Sequence, residues 1–311
     1  MTGNFRRLAV KLVLAAKRAI NTIAGWLAAR FLRLLRRTDP DRMADLFGAA
    51  MRRIGPWLPE HRLGRANLRA AFPEKSAAEI ETILVGVWDN LGRVAAEFPH
   101  LDRMWDYDRA HPKAGRAEST PKTDELFDRM RDDGKPALVF AAHLANWEQP
   151  ALAAHGGGLD FAVLFRRPNL SAVSDAVIEL RAGTMGTLIA GGGPDAPFRL
   201  ARALEEGKHV AILVDQHYGK GVDVTFFGRS CKANPLLARL ARHFDCPIHG
   251  TRAIRLPNHR FHVEMTEALD VPRDTQGRVD VQGTMQLITS IIEAWVREHP
   301  DQWLWLHRRW R

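Results

Sequence analysis

The sequence predicts an α/β fold: a mixed sheet flanked by helices, preceded by an N-terminal membrane-associating helix and a helical region. Three observations predict it. From Pro136 onward, short apolar runs rich in branched and aromatic residues alternate with amphipathic, helix-length stretches. Between residues 38 and 135 the periodicity is helical, punctuated by Pro56, Pro59 and Pro73. Residues 1–37 hold nine Lys and Arg and no Asp or Glu, while the remaining 36 cations face 36 anions, so the whole formal charge of +9 belongs to the N-terminus. The chain thus divides into an amphipathic or transmembrane anchor (1–37), a helical region packed on the core (38–135) and an α/β core with a C-terminal helix (136–311).

Within the first segment the longest uncharged piece, 19–29, is eleven residues, against the roughly 20 that a spanning helix needs. Lys11 and Arg18 are seven apart, and Arg30, Arg33 and Arg37 follow at three and four, which keeps each group of cations on one side. This describes an interfacial helix on an anionic membrane surface, with Trp26 and Phe31 among its anchors. Nucleic acid is the poorer partner, because the cations alternate with Leu, Val and Ile instead of forming a solvated arm. No small-residue cleavage site precedes a polar mature start. Cys231 and Cys246 form neither a CxxC nor a zinc spacing, which favours a reducing, cytoplasmic setting.

Helices follow at 42–54, 60–72 and 77–97, then a charged, turn-rich stretch at 102–120 and a helix at 124–131. Strands are predicted at 137–142, 161–165, 187–190, 209–214, 222–226, 248–256 and 261–266. Helices fit between several of them, at 149–155, 172–182, 196–205 and 235–244. A last amphipathic helix at 281–298 leads into an aromatic stretch ending at Trp310.

The apolar run 137–142 ends abruptly at His143, with Glu148 five residues on. On one helix, residues five apart would diverge by about 140°, so the two meet only across a turn. A strand end at His143 and a helix capped by Asn146 would let Glu148 accept a hydrogen bond from the imidazole, a base with its orienter. A His-x4-Glu pair also arises by chance. Two further apolar runs end in polar residues, at Arg166-Arg167 and at Asp215-Gln216, and three such ends at one rim favour a site. Arg166 suits a phosphate or an oxyanion, or is solvated in a loop. Asp215 equally fits a helix cap or a metal ligand, although no second carboxylate stands at ligand spacing. Gly191-Gly192-Gly193 reads as a turn before it reads as a phosphate cradle. With no Gly-x-Ser-x-Gly elbow and no thiolate setting for either cysteine, the nucleophile belongs to the substrate.

Together these stretches resemble the late acyltransferases of lipid A biosynthesis, within the wider His-x4-Asp/Glu acyltransferases of glycerolipids. The resemblance rests on the basic N-terminus; Asn67-Leu68 with Phe72-Pro73; Asn90-Leu91-Gly92 with Glu97; His143 to Glu148; Arg166; Asp215-Gln216 with Gly221; Val224-Thr225-Phe226-Phe227-Gly228; and Trp303-Leu304-Trp305-Leu306-His307-Arg308-Arg309-Trp310. It implies transfer of a fatty acyl chain from acyl carrier protein to a hydroxyl of a lipid A precursor, without cofactor or metal, at the cytoplasmic face of the cell inner membrane. It assigns catalysis to His143 and Glu148, and the rim that binds substrate or oxyanion to Arg166, Asp215 and Gln216. A phosphatidylinositol mannoside-type or other glycolipid acyltransferase, or an inactive lipid-binding protein of the same fold, shares much of the pattern.

Overall fold

The computed structural model describes residues 22–167 and 171–310, with the backbone alone at 171–173. The first described helix, α1 (residues 22–35), exposes Ile23, Trp26, Leu27, Phe31 and Leu34 and buries Ala29 and Leu35. The portion of the expected anchor at 1–21 lies outside the described residues. Helices α2 (Pro40–Ile54), α3 (Pro59–Ala71) and α5 (Pro121–Asp132) each begin one to three residues before the periodicity suggests. The cause is proline, whose missing N–H is harmless in a first turn, so it opens a helix instead of preceding one. Helix α4 (Ala77–Glu97) opens with a capping box between Ser76 and Glu79. It crosses α2 at Gly92, where a Cβ would stand 2.5 Å from the Phe47 carbonyl oxygen. Only glycine permits that approach.

The sheet is built from β1 (Ala117–Glu118), β2 (Leu138–Ala141), β3 (Phe161–Phe165), β4 (Thr187–Ala190), β5 (His209–Leu213), β8 (Ile248–Leu256) and β9 (Arg260–Met265), in the order β1-β9-β8-β2-β5-β3-β4. Every pairing is parallel except β8 with β9, so the sheet is mixed, as the sequence predicts. Helices α6 (Gln149–Gly156), α7 (Ser171–Ala182), α8 (Ala196–Glu205) and α9 (Leu236–Phe244) lie between strands in the chain. Strands β6 (Val222–Phe226) and β7 (Arg229–Ala233) form a separate antiparallel hairpin. The sequence Arg-Ser-Cys-Lys-Ala of β7 has neither an apolar run nor alternation, and its partner β6 makes it a strand.

Successive side chains point to opposite faces of a sheet. Leu138 and Phe140 of β2, with Val210 and Ile212 of β5, join the main core beside Leu200 of α8, Leu237 of α9 and Ile288 and Trp295 of α10 (Val281–Glu298). There Phe140 stacks on Trp295 with ring centroids 5.5 Å apart. Val139, Phe161, Val163 and Ala211 turn the other way, toward Phe127 and Met130 of α5 and Ala151 and Ala154 of α6. After α10 the chain runs back toward the sheet, and Leu144 forms an antiparallel bridge with Trp303. The Asn67 amide ties α3 to this returning segment by donating to the carbonyls of Trp305 and His307, both at 2.9 Å. Among the described residues no helix is long and apolar enough to cross a membrane.

Candidate active site

Beyond β2 the backbone turns sharply, with Ala145 in the left-handed region at φ 48°. For a residue with a side chain that conformation costs roughly 1–2 kcal/mol, so its surroundings must impose it. The Ala145 amide donates to the Gln302 carbonyl at 2.9 Å, and the Leu304 amide to the His143 carbonyl at 3.1 Å. The Ala145 carbonyl accepts from the Asn90 amide at 3.1 Å, whose oxygen accepts from Arg255 Nε at 2.8 Å. Arg255 in turn makes a two-pronged pair with buried Glu97. Asn146 is not the helix cap that the sequence predicts. Helix α6 begins at Gln149 without a side-chain cap, and Asn146 faces inward, donating to Glu97 at 2.9 Å and accepting from the Glu148 amide at 3.1 Å. A buried carboxylate needs donors more than an exposed helix end does. Asn90 and Glu97 are therefore the frame of the turn.

His143 meets Asp215, at the end of the adjacent strand β5. The Asp215 Oδ1 lies 2.8 Å from His143 Nδ1, and Oδ2 accepts both the His143 amide and the Trp303 indole N–H, each at 2.8 Å. A carboxylate only accepts, so Nδ1 carries the proton and Nε2 presents its lone pair. Gln216 Nε2 lies 3.4 Å from that atom. Burial pushes the imidazole toward neutrality, but the charge and hydrogen bond of Asp215 outweigh it, Glu148 adds to them and Arg181 opposes, leaving the pKa above the ordinary histidine value. For Asp215, burial pulls upward and loses to His143, with His307 and the His143 amide assisting, so its pKa falls well below the usual carboxylate range.

The expected bond from the imidazole to Glu148 is replaced by this one. Glu148, also buried, is gripped by the Nε and Nη2 of Arg181, which lies between the rings of Phe98 and Phe165 at 5.1 and 5.8 Å. Strand order decides the matter: β2 and β5 are parallel neighbours, so the residues just past their ends meet, while the turn carries Glu148 toward α7. Nothing in the sequence sets Arg181 or Trp303 apart: Arg181 is an ordinary cation in a last helical turn, and Trp303 is one residue of an aromatic stretch.

His143, Glu148, Arg166, Arg181 and Gln216 all line one cavity of about 890 Å³. Arg166 is exposed at its rim beside Gly191 and Gly192, and Trp147 lies with its ring 5.1 Å from that of His143. From this polar end the cavity follows one face of the sheet past Ala141 and Val139 on β2, Leu213 and Ala211 on β5 and Val163 and Phe161 on β3, beneath Phe127 and Met130. Its walls beyond the mouth are largely hydrocarbon, and His209 marks the far end of β5. The arrangement suits a long apolar ligand whose reactive end lies at a histidine base.

The family model described as bacterial lipid A biosynthesis acyltransferase matches residues 14–311, nearly the whole chain. Comparison with curated proteins gives no match.

Proposed function

The chain belongs to the bacterial lipid A biosynthesis acyltransferase family and is an acyltransferase; from that premise we propose that it moves a fatty acyl chain from acyl carrier protein to a hydroxyl of a lipid A precursor. The observation that carries this reading is the junction of the His143–Asp215 pair with the apolar cavity. The acyl chain lies in the cavity with its thioester at the mouth. Burying a methylene contributes about 0.8 kcal/mol, so a chain of ten contributes roughly 8 kcal/mol before ordering costs.

His143 Nε2 takes the proton of the acceptor hydroxyl as its oxygen attacks the thioester carbon. Asp215 balances the imidazolium. As the tetrahedral intermediate collapses, the carbon–sulfur bond breaks and the imidazolium returns the proton to the departing thiolate, leaving ester and thiol. Arg166, exposed at the rim, binds a phosphate of acceptor or donor. Glu148 and Arg181 form a rigid wall beside the imidazole, Glu148 adding to its basicity.

The inner membrane is the site of action in this reading. Support comes from α1, whose exposed Ile23, Leu27, Phe31 and Leu34 recur at helical spacing beside Arg30, with Arg30 over the Trp26 ring at 5.6 Å. The test combines three measurements on full-length protein: product mass from an acyl carrier protein thioester and a lipid A precursor, the same with His143→Ala, and flotation with anionic vesicles. The variant loses about 10² to 10⁴ in rate. Unchanged turnover would remove His143 from the chemistry, and thioester consumption with no acylated acceptor would exclude the lipid acceptor.

A further inference from the structure

The stretch from Gln302 to Trp310 is rich in tryptophan, and the reaction outlined above leaves it without a task. Three of its groups hold the turn that carries His143. The Gln302 carbonyl accepts the Ala145 amide at 2.9 Å and the Leu304 amide donates to the His143 carbonyl at 3.1 Å, and these two bonds make the backbone bridge between Leu144 and Trp303. The third is a side chain: Trp303 Nε1 donates to Asp215 Oδ2 at 2.8 Å. Trp303 is 1% exposed, with Phe226, Trp305 and His307 around its ring at 5.5, 4.7 and 5.2 Å. Its indole has no freedom to turn away.

We infer that Trp303 is a positioning residue for the His143–Asp215 pair. Oδ2 receives two N–H donors, from His143's own backbone and from the indole, and these fix the carboxylate plane so that Oδ1 meets Nδ1. The indole donor also draws negative charge toward Oδ2. Without it, Asp215 becomes a stronger acceptor toward the imidazolium and a less fixed one.

The segment supplies its own controls. Trp305 Nε1 donates to the Pro300 carbonyl at 2.7 Å, and Trp310 Nε1 to the Phe226 carbonyl at 3.2 Å, so neither indole touches the pair. Tryptophan to phenylalanine at each of the three positions removes one N–H from the same packed segment. Loss of a hydrogen bond to a charged group sets the scale for Trp303→Phe at roughly tenfold or more in kcat.

The inference rests on the proposed role of His143, so the experiment separates the two. Trp303→Phe, Trp305→Phe and Trp310→Phe are made in full-length protein, and each is measured for kcat and KM across pH, for thermal unfolding, and for His143 titration by nitrogen NMR without substrate. In Trp303→Phe alone, kcat falls about tenfold or more at little-changed KM, and the His143 midpoint moves upward. An equal loss in all three variants that tracks unfolding, with the His143 midpoint unmoved, would overturn the inference and leave a structural segment. A midpoint that moves while turnover stays at the wild-type level would preserve the positioning role and overturn His143 as the base.

Discussion

Glu148 is held by Arg181, and His143, five residues before it, is held by Asp215 at the end of the neighbouring strand. The pair that the sequence joins is split by the fold between two partners. Asp215→Asn therefore damages catalysis more than Glu148→Gln does. An amide at position 215 offers its nitrogen or its oxygen to Nδ1 without balancing the imidazolium, a change expected to lower kcat by about 10² to 10⁴. Glu148→Gln keeps one arm of the Arg181 contact and costs less. Measured kcat values for the two variants check the order, and a larger loss for Glu148→Gln would return the orienting role to it.

The pH dependence has two faces. His143 has a folded pKa above its ordinary 6.5, so its pairing stabilises the fold below 6.5 and that stability is lost as pH rises through the folded value. Asp215 has a pKa below its ordinary 3.8, so its contribution is present above 3.8 and is lost as pH falls through the folded value. A base must be unprotonated, so the rate climbs where the stabilisation from His143 fades. The acid limb of kcat against pH is expected above 6.5, and Asp215→Asn moves it downward. Unfolding and rate curves collected on the same buffers test both signs.

The buried pair of Glu97 and Arg255 anchors the turn through Asn146 and Asn90. Removing one partner leaves a charge in the interior, at about 3–5 kcal/mol. Arg255→Met is expected to lower stability by that amount in denaturant titration. It also lowers kcat by loosening Ala145, while an activity that survives unchanged would show the turn to be fixed from the Gln302 side alone.

Ala211 faces the middle of the cavity, between His209 and Leu213 on the same strand. Ala211→Phe fills that stretch and is expected to shift selectivity toward shorter acyl chains without moving the pH profile. Competition between thioesters of graded length, read by product mass, gives the answer. Unaltered selectivity would take the chain out of this cavity.

Most of the sheet was legible in the sequence because its strands are apolar, short and bounded by turns. β3, β4, β6 and β8 have the bounds that the pattern gives. The two-residue β1 and the polar β7 were not, since each is made a strand by its partner. The rim was legible for the same reason as the strands: an apolar run that stops at His143, Arg166 or Asp215 advertises its end. Who pairs with whom was not. His143 and Asp215 are 72 residues apart, and their meeting depends on β5 lying next to β2, which no local periodicity encodes. Sequence nearness favoured Glu148 instead.

The bridge from Leu144 to Trp303 also bears on the timing of biosynthesis. Asn90, which holds one side of the turn, is 212 residues ahead of Gln302, which holds the other. As the ribosome releases the chain, β2 and α6 emerge long before residues 302–304. Until those arrive, Ala145 has no partner for its amide, and a left-handed backbone that nothing imposes relaxes. Pairings this distant in sequence form late. The backbone bonds that order the turn beside His143 are therefore completed only after residues 302–304, nearly the whole chain, have been made.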